Sequence, residues 1–210
     1  MQPPASPAPA PPLRTFIAVE LPPAVKQQVQ TVQHHLRQTL DREGLGDLMR
    51  WTFGDNLHLT LRFLGDTSSA QRAEMEKSLT ALVGTFPPFR LAVQKLGAFP
   101  SLRKPNIVWL DFGGDLHVLD PLQKRIEAAV QALGFDPEDR RFTPHLTVAR
   151  AQKSAASAAL VRAGELLRVE AEKPLPPASF FRVEQIHLIR SDLRPSGPVY
   201  RPLATFTLAE

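Results

Sequence analysis

Two tripeptides of one kind, His58-Leu59-Thr60 and His145-Leu146-Thr147, carry the residue types and spacing in this chain that point most directly to chemistry. Composition alone yields about 0.05 such tripeptides in a chain of this make-up, so chance is a poor account of a pair. Imidazole titrates near neutrality and can either take or give a proton. Cleaving a phosphodiester needs both acts: one group removes a proton from the attacking oxygen, and another protonates the leaving oxygen. Two histidines on opposite sides of a phosphorus would allow in-line attack, each contributing roughly 10² to 10⁴-fold. A threonine two residues further along a strand points to the same side, and its hydroxyl can serve a non-bridging oxygen as charge builds there. Thr60 and Thr147 occupy that position. The scheme requires no metal or other cofactor, and neither motif has the short histidine spacing or carboxylate partners of a usual metal site.

Such side chains must be held on strands. From Leu57 to Leu64 apolar and polar residues alternate, which places Leu57, Leu59, Leu61 and Phe63 on one face and His58, Thr60 and Arg62 on the other. Arg62 is thereby a candidate to meet either a distal phosphate or solvent. Pro144–Ala149 repeats the alternation, with His145 and Thr147 opposite Leu146 and Val148. Each motif strand follows an opening strand and an amphipathic helix. Arg14–Glu20 precedes a stripe of Val25, Val29, Val32, Leu36 and Leu40, whose intervening polar residues face outward; Ile107–Phe112 precedes Leu119, Leu122, Ile126, Ala129 and Val130. The similar order of elements describes duplicated halves. Further helices over 68–83 and 154–167, and strands near 89–96, 178–181, 184–189 and 199–208, predict an α+β fold with helices outside antiparallel sheets.

The 210 residues suffice for one substantial domain or two small lobes. Residues 1–12 hold six prolines and no charged side chain, which predicts a disordered Pro/Ala-rich tail before a folded domain over 13–210. With no cysteine, disulfides, thiolate metal sites and cysteine nucleophiles are excluded. The net charge of +4 is too small to announce nucleic-acid binding by itself. Of the 25 basic residues 18 are arginine, whose planar fork suits phosphate, although a GC-rich coding sequence gives the same bias. The N-terminus lacks a secretory pattern and no uncharged apolar run approaches a membrane span, so the expectation is a soluble, cytoplasmic protein.

The segments RTFIAVELP, HLTLRFLG and FTPHLTVAR, with paired His-x-Thr-x motifs in duplicated halves, resemble the two-histidine phosphoesterase superfamily, and within it the LigT/ThpR branch. Members of that branch are RNA 2′,3′-cyclic phosphodiesterases, historically called 2′-5′ RNA ligases. The resemblance implies a bilobal fold with a pseudo-twofold axis, each lobe giving one His-x-Thr to a central groove. It further implies that His58 protonates the departing ribose O3′, that His145 activates water, and that a 2′-phosphate results. Arg150 matches the arginine that ends the second motif, placed to meet phosphate or to stack on the terminal base. Phe16 matches an aromatic of the opening strand, either lining the nucleobase pocket or packing in the core. The implied partner is RNA with a 2′,3′-cyclic phosphate end, met by a monomer. Alternatives left open are ligation, another strained or 2′,5′-linked phosphodiester, and a non-catalytic module that binds RNA ends.

Overall fold

The opening strand forms as β1 (Leu13–Glu20), with Ile17 and Val19 in the main core and Phe16 and Ala18 on its other face. This is seen in a computed structural model that describes residues 11–175, 180–194 and 197–209. The disordered tail expected over 1–12 therefore falls mostly outside the described residues, as does the start of the strand expected at 178–181. Helix α1 (Pro23–Arg42) starts at two prolines and buries all five residues of the expected stripe. Gln33, expected to face outward, is buried instead: its Nε2 donates to the Thr52 and Val148 carbonyls at 2.5 and 2.9 Å. Gly44, in a left-handed conformation, ends the turn after α1.

β2 (Met49–Trp51) is too short for any periodicity to announce it. β3 (His58–Thr67) carries the first motif, and α2 (Ser69–Val83) follows behind a capping box between Ser68 and Gln71. Next come β4 (Phe89–Phe99), β5 (Ile107–Gly114), α3 (Leu116–Ala132) and β6 (His145–Ala151), which carries the second motif. α4 (Ser157–Ala171), β7 (Phe181–Val183), β8 (Gln185–Arg194) and β9 (Gly197–Thr207) complete the order.

The strands make two antiparallel sheets, β3-β1-β8-β9 and β2-β6-β5-β4-β7, in an α+β architecture as expected. The sequence halves are not the lobes. β2 and β4 from the first half join the second sheet, while β8 and β9 from the chain's end join the first. The helices cross over as well: α3 packs with α2 and β3, and α1 packs with α4. One continuous apolar core spans both sheets and so locks the lobes together.

The alternation read for β3 breaks after Thr60. Its partners on β1 run Ala18 to Thr60 and then Ile17 to Arg62, so Leu61 is an extra residue, a β-bulge. The phase of the strand reverses there. Arg62 is buried at 8% exposure, whereas Phe63, expected in the core, is 55% exposed. β6 has the same device: its partners on β5 pass from Thr147 to Ala149, leaving Val148 as the extra residue. Val148 and Ala149 are both buried and Arg150 emerges. The duplication therefore extends to the bulge.

Candidate active site

β3 is the edge strand of the first sheet. On β6, the short β2 covers only Ala149–Ala151, which leaves His145–Thr147 open on that side. β3 and β6 are in contact, so the two motif strands approach each other at the junction of the sheets. His58 packs 4.7 Å from the ring of Phe16 and 5.1 Å, edge-on, from Tyr200. Burial among these rings pushes its pKa down to about 4; the Asn56 backbone opposes this, and the Arg150 and Lys26 charges add to it. Its Nδ1 is buried beside the Asn56 backbone without a well-aligned hydrogen bond.

His145 is built differently. Its Nδ1 lies 2.7 Å from the Thr143 carbonyl, and because a carbonyl only accepts, Nδ1 must carry the proton. Nε2 is then the nitrogen left with a lone pair. The ring stands edge-on to Phe99 at 5.0 Å and 6.3 Å from Trp109. Trp109 in turn lies over Gly97, where any Cβ would collide with the indole. Burial lowers the His145 pKa, the Thr143 carbonyl opposes this, and Arg150 lowers it further.

The Arg150 charge lowers the pKa of both imidazoles, and β3 and β6 are in contact, so the two motifs face one region. Thr60 and Thr147 sit half-buried on the histidine side of their strands, and among the described residues nothing engages either hydroxyl. Phe16 is on the groove side but only 2% exposed, covered by His58, Phe63 and Tyr200, so it supports the histidine rather than lining an open pocket. Arg62 is corrected. Behind the bulge it turns away from the groove to Glu127 (Nε–Oε2 2.7 Å), Glu138 (3.3 Å) and the Asp136 and Phe63 carbonyls. The Glu127 contact is a close ion pair without good hydrogen-bond alignment.

Sequence reasoning did not find Tyr200, Phe63, Phe99, Trp109 or Arg50. Phe63 and Trp109 fall in expected apolar strands and Phe99 lies beyond the expected end of its strand at 96, so only pairing register shows which aromatics turn to the histidines. His187, on the face shared by Ala18 and Thr60, was also passed over; its Nδ1 lies 3.1 Å from the Thr205 hydroxyl.

Comparison with known proteins fits this geometry. A family model described as the 2′-5′ RNA ligase superfamily matches residues 21–195, a span that holds both motifs. The chain belongs to that superfamily. This superfamily member is 33% identical over 168 residues to the RNA 2′,3′-cyclic phosphodiesterase of Aeropyrum pernix, across 80% of this chain and 90% of that one. To the RNA 2′,3′-cyclic phosphodiesterase of Methanothermobacter thermautotrophicus it is 29% identical over 197 residues, 93% and 99% of the two chains. Among solved structures it is similar to TT0787 of Thermus thermophilus, with a TM-score of 0.73 at 26% identity over 93% of this chain and 97% of that one. Escherichia coli LigT complexed with 3′-AMP gives a TM-score of 0.70 at 25% identity, over 95% and 99%.

Proposed function

We propose that this superfamily member opens RNA 2′,3′-cyclic phosphates to 2′-phosphomonoesters by histidine acid–base catalysis. The observation that carries the reading is the convergence of two His-x-Thr motifs on one site, with Arg150 acting on both imidazoles. In this mechanism Nε2 of His145 accepts a proton from water, whose oxygen attacks phosphorus. The P–O3′ bond breaks, and O3′ takes a proton from His58, leaving a 3′-hydroxyl beside a 2′-phosphate. The Thr143 carbonyl is compatible with the base role, since it fixes the tautomer whose Nε2 is free to accept a proton; the division of acid and base between the two histidines follows the family resemblance. Thr60 and Thr147 donate to the non-bridging oxygens and Arg150 balances the charge gathering on them. The depressed pKa of His58 belongs to the protein without substrate. A bound phosphate anion offsets the Arg150 charge and favours the protonated imidazole that the acid role needs.

Phe63, not Phe16, supplies the exposed ring on which the terminal base stacks. We read the protein as acting alone on RNA ends and in the cytoplasm; among the described residues no helix is long and apolar enough to cross a membrane. The test is product analysis: a short RNA ending in a 2′,3′-cyclic phosphate, incubated in EDTA, is followed by phosphorus NMR. A 2′-phosphomonoester is expected. A 3′-phosphomonoester would reverse the assignment of the bond broken, and an intact ring would refute the reading.

A further inference from the structure

Arg50 on β2 and Arg150 on β6 are direct cross-strand partners. Directly opposed like charges weaken a sheet pairing. β2 is only three residues long, so it has few other pairings to offset that cost. Both side chains are exposed, and among the described residues neither has a hydrogen-bond or ion-pair partner. A third cation joins them from β1: the Tyr200 phenol feels Arg14, Arg50 and Arg150 together. Two directly opposed guanidinium groups, with a third cation acting on the same phenol, are an arrangement that an anion would relieve.

Arg50 stands on β2, the edge strand outside β6, and so lies one strand further from the motif histidines than Arg150 does. We propose that Arg50, assisted by Arg14, forms a second anion site that holds the 5′-phosphate of the terminal nucleotide, the next phosphate along the RNA from the cyclic one. The inference rests on the reading of the active site given above. It makes the protein selective for the end of a polynucleotide over a free cyclic nucleotide.

The test compares two small substrates, a nucleoside 2′,3′-cyclic phosphate with a 5′-hydroxyl and the same compound with a 5′-phosphate. The wild type is expected to favour the phosphorylated compound by roughly tenfold or more in kcat/KM, the scale of one charge-assisted contact. Arg50→Gln is expected to remove most of that preference. Arg168→Gln, which deletes the same charge from the exposed side of α4, is expected to keep it. A wild type without preference, an Arg50→Gln ratio equal to wild type, or an equal fall in Arg168→Gln would each overturn the second site. A wild type that opens neither compound would instead defeat the reading of the active site, and the second site with it.

Discussion

Phe63 and Arg150 occupy the same place in the two halves of this protein. Each stands five residues after its motif histidine, and each pairs with the equivalent residue of its opening strand, Phe16 or Ile107. Simple alternation would put a residue five positions on across the sheet from the histidine. The bulges at Leu61 and Val148 reverse the phase and bring both residues to the groove side. The duplication is therefore exact enough to preserve an irregularity, while the side chains it presents differ: a ring in one half, a guanidinium in the other. The two arms of the site are therefore unlike, with an exposed ring on one and a guanidinium on the other; in the proposed function the first takes the base and the second the phosphate.

Phe63→Ala removes the exposed ring and leaves the histidines in place. The expected result is a KM for cyclic-phosphate RNA raised about tenfold, the lower range of one base–aromatic stack, with kcat changed far less. Steady-state kinetics on a single oligonucleotide checks this.

The pH profile carries a sign. In the free protein both imidazole pKa values lie below the ordinary 6.5, His58 at about 4. Since kcat/KM reports the free protein, it requires protonated His58 and neutral His145 there. The expected profile has its maximum on the acid side of pH 6.5 and falls as pH rises. The kcat optimum lies higher, because a bound anion favours the imidazolium form. A kcat/KM that climbs to a plateau above neutrality would contradict these assignments.

Stability should follow the same burial. A histidine held neutral at about 4 in the fold and near 6.5 when unfolded lets the unfolded chain bind protons first as pH falls. Its contribution is fully present above about pH 6.5 and is lost progressively toward pH 4, on the order of 3 kcal/mol. Denaturant titrations at pH 7 and pH 4 are expected to show a smaller difference for His58→Gln than for wild type.

Much of this was legible beforehand. The apolar stripes of α1 and α3 are periodic over many residues, and the short alternation up to each bulge is enough to put His58 with Thr60 and His145 with Thr147 on one side of their strands. Arg62 shows where the reading ends. A bulge has no strong sequence signature, and one extra residue at Leu61 sends the guanidinium to Glu127 and Glu138 and brings Phe63 out. Nor could the sequence show that Tyr200 on the last strand reaches His58, since that contact depends on β8 and β9 joining β1. The crossing of the two halves between the sheets is likewise set by long-range pairing and not by local pattern.

Arg62→Met tests that correction. Glu127 would be left largely buried without its cation, so a loss of about 3 to 5 kcal/mol is expected in equilibrium unfolding. Arg62→Met combined with Glu127→Gln should recover part of it. A substitution that left stability alone and raised only KM would restore Arg62 to the substrate.

The most direct test of the central claim is turnover of a 2′,3′-cyclic phosphate RNA by His58→Ala and His145→Ala in EDTA, with far-UV spectra confirming the fold. Each variant is predicted to lose at least about 10²-fold in kcat. Wild-type turnover in either variant would contradict the claim that these two histidines share the proton transfers.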